Sequence, residues 1–105
     1  MNKKEREVVY ANALEVFGMQ CQYDQCMEEM AELMVAINKL KRQENYGEYK
    51  NNLSIKENFF EELADVYICI EGLAYLIGEP EFNKKVEEKM QKFARIVENC
   101  KPQNK

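Results

Sequence analysis

The 105-residue chain contains no histidine, which removes the usual general base and the commonest zinc ligand together. Proline occurs only at 80 and 102, and glycine only at 18, 47, 72 and 78. The long segments between these breakers are rich in Glu, Lys, Leu, Met and Ala, which favours helix throughout. No run alternates apolar and polar residues for long enough to predict a strand. The four cysteines, Cys21, Cys26, Cys69 and Cys100, form no Cys-x-x-Cys pair, and without histidine they make a poor zinc set. Cys26 and Cys69 fall on or beside apolar stripes and read as buried free thiols. The opening Met-Asn-Lys-Lys-Glu-Arg has no apolar signal region, and no segment approaches membrane-spanning length. The expectation is a cytoplasmic protein with reduced thiols and no membrane association. A formal charge of −4 argues against a general nucleic-acid surface. Lys and Arg are nevertheless grouped, at Lys39, Lys41 and Arg42 and again at Lys84, Lys85, Lys89, Lys92 and Arg95, so a local anion site is compatible with the acidic total.

This length suits one core and is too short for two, so residues 1–105 are expected to form a single all-α domain. Four helices are predicted. The first covers 3–17 and stops at Gly18. The second covers about 20–42. A polar stretch over 43–53, with Asn45, Gly47, Asn51 and Asn52, reads as an exposed loop. Ser54-Ile55-Lys56-Glu57 has the form of a capping box and is expected to open the third helix, which runs to Ile77 before Gly78. Pro80 suits the start of a fourth helix continuing to about Asn99, with 101–105 as a frayed tail.

Two acidic motifs stand out within the second and third helices: Glu28-Glu29-Met30-Ala31-Glu32 and Glu61-Glu62-Leu63-Ala64-Asp65. Carboxylates three residues apart share one helical face. With Glu29 as origin and roughly 100° per residue, Leu40, Leu33, Cys26, Ile37, Met30, Met34 and Met27 fall between roughly 20° and 160°, and Glu32 lies near −60°. With Glu62 as origin, Leu73, Val66, Phe59, Ile77, Ile70, Leu63 and Ala74 fall between roughly 20° and 120°, and Asp65 again lies near −60°. Each helix thus carries an apolar stripe, a Glu at its edge and a second acid further round. The small residues Ala36 and Cys69 lie between the acids and are expected to leave room for an approach to the backbone. Glu28 and Glu61 sit further from the core. Most such acid pairs are merely the solvated face of an amphipathic helix. Matched phasing in two helices favours more than that, because four clustered carboxylates repel unless a cation joins them. An all-oxygen set of this kind suits Mg²⁺ or Mn²⁺.

The two motifs in this order resemble those of the MazG-like all-α nucleoside triphosphate pyrophosphohydrolases. The likeness extends from Phe17-Gly18 through Gln22 and Gln25 to the first motif and on to the basic Lys39-Leu40-Lys41-Arg42. It continues through the second motif to Leu76-Ile77-Gly78 and then to Lys92-Phe93-Ala94-Arg95, covering about residues 14–98. The resemblance implies a four-helix bundle completed or extended by oligomerisation, as a homodimer or homotetramer. It implies Mg²⁺ held by Glu29, Glu32, Glu62 and Asp65, and cleavage of a (d)NTP to the monophosphate and pyrophosphate. Lys89, Lys92 and Arg95 would hold the triphosphate, and either Glu28 or Glu61 could accept the proton of the attacking water. No clear base-reading set is visible; Tyr23, Tyr46, Tyr49 and Tyr67 could stack on a base, although tyrosines so placed more often serve packing. The competing reading is a non-catalytic helical module that dimerises or binds a partner helix, its acids simply solvated. A carboxylate-bridged di-iron bundle is disfavoured because such sites use Glu-x-x-His.

Overall fold

In a computed structural model the chain is all-helical, described over residues 1–46 and 53–102, with the side chain of Tyr46 left aside. Helices α1 (Lys3–Phe17), α2 (Met19–Tyr46), α3 (Leu53–Ile77) and α4 (Glu79–Cys100) follow one another in chain order. The expected loop positions Gly47, Asn51 and Asn52, Tyr49 and the tail 103–105 lie outside the described residues.

Local chemistry explains most boundaries. The Asn2 side chain accepts from the Glu5 backbone N–H at 2.9 Å, and the Asn2 N–H donates to Glu5 Oε1 at 3.1 Å, a reciprocal cap that opens α1. Gly18 alone separates α1 from α2; its φ of 81° lies where a side chain would be strained. Pro80 stands in the first turn of α4, where its missing N–H costs no helical bond, with Glu79 and Glu81 near the positive end of the helix dipole.

Two boundaries differ from expectation. Helix α2 continues through Gln43 to Tyr46, because this polar stretch contains ordinary helix formers and no breaker before Gly47. Helix α3 already includes Leu53, one residue before the Ser54 expected to open it.

Helices α2 and α3 form the main contact, while among the described residues α1 packs on both and α4 packs on α3. Buried Tyr10 anchors α1 on α3. A Cβ built on Gly72 would stand 3.1 Å from Tyr10 Cδ1, so the missing side chain is what admits the ring. Glu71 fixes the same junction. It accepts from Arg6 Nε at 2.6 Å, Arg6 Nη2 at 3.1 Å, Tyr10 Oη at 2.7 Å and Tyr67 Oη at 3.3 Å. A Lys3–Glu79 ion pair of 2.6 Å joins the starts of α1 and α4.

Burial shows where the α2–α3 seam runs. On α2, Cys26 and Ala36 are buried and Leu33 and Leu40 half-buried; on α3, Ile55 and Val66 are buried and Phe59 and Leu73 half-buried. On the angular scale above, these residues lie between roughly −20° and 60° on each helix. Glu29 and Glu62, at the origins, therefore sit inside the helix–helix contact, not at the edge of the core. The outer part of the stripe, Ile37, Met30, Met34 and Met27 on α2 and Ile70 and Leu63 on α3, is exposed. A further expectation fails at Ala36. Only 1 % exposed, it brings the helices together and leaves no room for an approach to its backbone. No helix among the described residues is long and apolar enough to cross a membrane.

A candidate metal centre between α2 and α3

Helix phasing delivers one carboxylate pair from each side of the seam. One oxygen from each of Glu29, Glu32 and Glu62 lies within 4.8 Å of the other two. Glu29 and Glu62 are half-buried, and Glu32 is exposed. Asp65 stands outside that triad but close to Glu29, on which its charge acts directly. The structure thus groups all four acids singled out above, three of them tightly.

Electrostatics make the cluster uncomfortable as it stands. Burial raises the Glu29 pKa, as do the neighbouring charges of Asp65 and Glu32, against the opposing effect of a hydrogen bond from Gln25. Burial likewise raises Glu32, with Glu62 and Glu28 adding repulsion. Glu29 Oε2 and Glu62 Oε2 are buried and have no hydrogen-bond partner. A buried carboxylate oxygen without a donor is costly. Among the described residues no ion pair reaches any of the four acids. The donor set is all oxygen, carries excess negative charge and has two unsatisfied atoms. It fits a hard divalent cation such as Mg²⁺ or Mn²⁺.

The surrounding candidates are placed less closely. Glu28 is exposed and its charge acts on Glu32; Glu61 is exposed on α3. Lys89, Lys92 and Arg95 are exposed on α4, which runs alongside no part of α2. Within one chain they are not brought to the carboxylates. Tyr23 is exposed on α2, while the Tyr67 hydroxyl is engaged by Glu71.

Two features beside the cluster were not anticipated in these roles. Gln25 Nε2 donates to Glu29 Oε1 at 2.6 Å, holding that side chain in place from one turn earlier; the i, i+4 spacing of the pair is the signal for it. Cys26 and Cys69 meet across the seam next to Glu29 and Asp65. Burial and the hydrogen bond with Cys26 push the Cys69 thiol up to about 12. Cys26 is buried, as expected, and Cys69 half-buried. No protein-family model, no curated protein and no solved structure matches the chain.

Proposed function

We propose that this chain is a Mg²⁺-dependent nucleoside triphosphate pyrophosphohydrolase of the MazG-like type, releasing a (d)NMP and pyrophosphate. The observation that carries the proposal is the convergence of Glu29, Glu32 and Glu62 from two helices onto one point, with two buried, unpartnered carboxylate oxygens. Glu29, Glu32, Glu62 and Asp65 would hold Mg²⁺, with Mn²⁺ as a substitute. The cation supplies neutralisation of phosphate charge and acidification of a bound water.

The protein groups have separate tasks in this reading. Gln25 fixes the orientation of Glu29. Exposed Glu28 or Glu61, uncommitted to the cluster, accepts the proton of the water that attacks the triphosphate. Lys89, Lys92 and Arg95 on α4, which one chain does not bring to the carboxylates, would bind the phosphate chain only where self-association sets them beside a cluster. Self-association into a homodimer or homotetramer belongs to the same proposal.

Incubation with a panel of NTPs and dNTPs, with and without Mg²⁺, tests the activity through pyrophosphate release. Mg²⁺-dependent release from at least one nucleotide is expected; phosphate in place of pyrophosphate, or no turnover across the panel, refutes it. The non-catalytic helical module is the second reading, favoured by the exposed apolar residues along α2, α3 and α4. It predicts association without turnover.

A further inference from the structure

Helices α1, α3 and α4 border a cavity of about 290 Å³, at the small end of the range for ligand pockets. On the angular scale above, its α3 residues Tyr67, Ile70 and Ala74 lie between roughly 80° and 140°, whereas Asp65 lies near −60°. The cavity therefore opens on the other side of α3 from Asp65 and is no part of the carboxylate site.

Its walls select a flat guest. Tyr67 stands on α3 and Phe82 on α4, 60 % and 39 % exposed. Neither ring meets another ring among the described residues. An open aromatic face on each of two neighbouring helices suits a planar molecule that stacks on both. Ile70, Ala74 and Val86 add apolar surface between them. The rim selects an uncharged guest. Lys3 pairs with Glu79 Oε1 at 2.6 Å and Arg6 with Glu71 at 2.6 Å, so each rim carboxylate already has its cation. A charged guest would have to break one of these pairs. Glu79 Oε2 is left to accept a hydrogen bond. The Asn83 amide, both donor and acceptor, has no partner among the described residues. An adjoining cavity of about 300 Å³ shares Ile70, Ala74 and Phe82 but is lined without these polar groups. A purely apolar guest fits there at no polar cost.

We infer that the α1–α3–α4 cavity binds an uncharged heteroaromatic ring of nucleobase size, stacked between Tyr67 and Phe82, with its polar edge on Asn83 and Glu79. A primary amide pairs two-fold with a ring edge that sets a donor beside an acceptor. The carboxylate oxygen next to it accepts from an amino or ring N–H. Occupancy joins three helices, because Lys3, Tyr67 and Asn83 come from one each.

This inference stands apart from the proposed hydrolysis. A nucleoside has no phosphate anhydride, and the cavity needs no metal. The test is an NMR titration of the full ¹⁵N-labelled chain, without divalent cations, using adenosine, guanosine, cytidine and uridine. Benzoate serves as a charged ring and cyclohexanol as a non-planar one. At least one nucleoside should bind saturably, moving the Asn83 side-chain amide and the backbone amides of Tyr67 and Phe82. Benzoate and cyclohexanol should leave them unmoved at the same concentration. Asn83→Leu should weaken binding about tenfold through loss of the paired hydrogen bonds, and Phe82→Ala should weaken it by about as much through loss of stacking. Asn99→Leu, towards the other end of α4, should bind like the unaltered protein. Asn83 is exposed, so its replacement leaves the packing alone; if Phe82→Ala does not fold, Asn83→Leu decides. No saturable shift with any nucleoside overturns the inference, including a failure caused by another copy covering the mouth. So do shifts confined to the neighbourhood of Glu29 and Glu62, an equal response to cyclohexanol, or undiminished binding by Asn83→Leu.

Discussion

Replacing Glu71 by Gln should remove the main polar tie between α1 and α3. Glu71 accepts from Arg6, Tyr10 and Tyr67, and these bonds, the Arg6 guanidinium foremost, lower its pKa from 4.5 to about 2. At ~1.4 kcal/mol per pH unit of displacement, the difference is worth about 3 kcal/mol. Part of that is lost to solvent screening, since the Arg6 side chain is 32 % exposed against 14 % for Glu71. The sign follows from the lowered pKa. The contribution is complete above about pH 4.5 and is lost as the pH falls towards 2. Gln keeps the shape but loses the charge, and it leaves a part-buried Arg6 opposite a neutral amide. The expected cost at pH 7 is about 2–3 kcal/mol. With a urea dependence of about 1 kcal/mol per molar, the unfolding midpoint should fall by about 2 M. The assay is urea unfolding followed by circular dichroism, at fixed protein concentration because association contributes to stability. Profiles are taken at pH 7 and between pH 5 and 2. The parent should lose stability across the acid range, and the variant should show little further loss. Equal midpoints at pH 7, or the same acid slope in both proteins, would refute the reasoning.

Further outcomes concern the seam. Exchanging Glu62 for Gln should abolish Mg²⁺-dependent pyrophosphate release and shrink the Mg²⁺-induced rise in Tm, while Tm without Mg²⁺ holds steady or increases as repulsion falls. Glu98→Gln is the suitable control; Glu5 is not, because its side chain caps α1. An undiminished Mg²⁺ shift in Glu62→Gln would exclude the four-acid site. Among the thiols, exposed Cys21 and Cys100 should react rapidly with an aromatic disulfide reagent, whereas buried Cys26 and half-buried Cys69, the latter pushed up to about 12, should react only on unfolding. Equally fast modification of all four would contradict the seam geometry. Mild acidification should stabilise the metal-free cluster, since the raised pKa values of Glu29 and Glu32 mean that the folded state takes up protons first. Chemical shifts of the two carboxyl carbons, followed by NMR from pH 7 to 4, report the order of titration. Midpoints at or below the ordinary glutamate value would contradict it.

How much of this was legible in the sequence depends on whether the cause is local. Helix α1 ends where a glycine must follow, and α4 starts where proline is tolerated; both are visible in single residues. The grouping of Glu29, Glu32 and Glu62 was legible because two helices repeat the same angular offset, and any packing that mates their stripes brings those acids near. The depth of the acids was not. An apolar stripe says which side chains avoid water but not which part of it meets a neighbour in the same chain. Burial placed Ala36 and Val66 in the contact and left Met34 outside, moving the seam onto the carboxylates. The Arg6–Glu71 tie was equally hidden. It joins residues 65 apart, beyond the reach of periodicity, and the only local hint is a lone acid set beside Gly72 in an apolar run.

The position of Glu29 and Glu62 inside the main helix–helix contact has a consequence for how this protein can change over time. A leucine at either position would relieve repulsion, fill the contact and satisfy the buried volume now given to unpartnered oxygens, so the sturdiest version of this helix pair is one without the acids. Selection for stability alone would erase them one substitution at a time. The proposed cation binding would have to contribute enough to oppose that drift. Stabilising substitutions sought in the laboratory are best directed to α1 and the exposed turns, because gains made at the seam come out of the carboxylates.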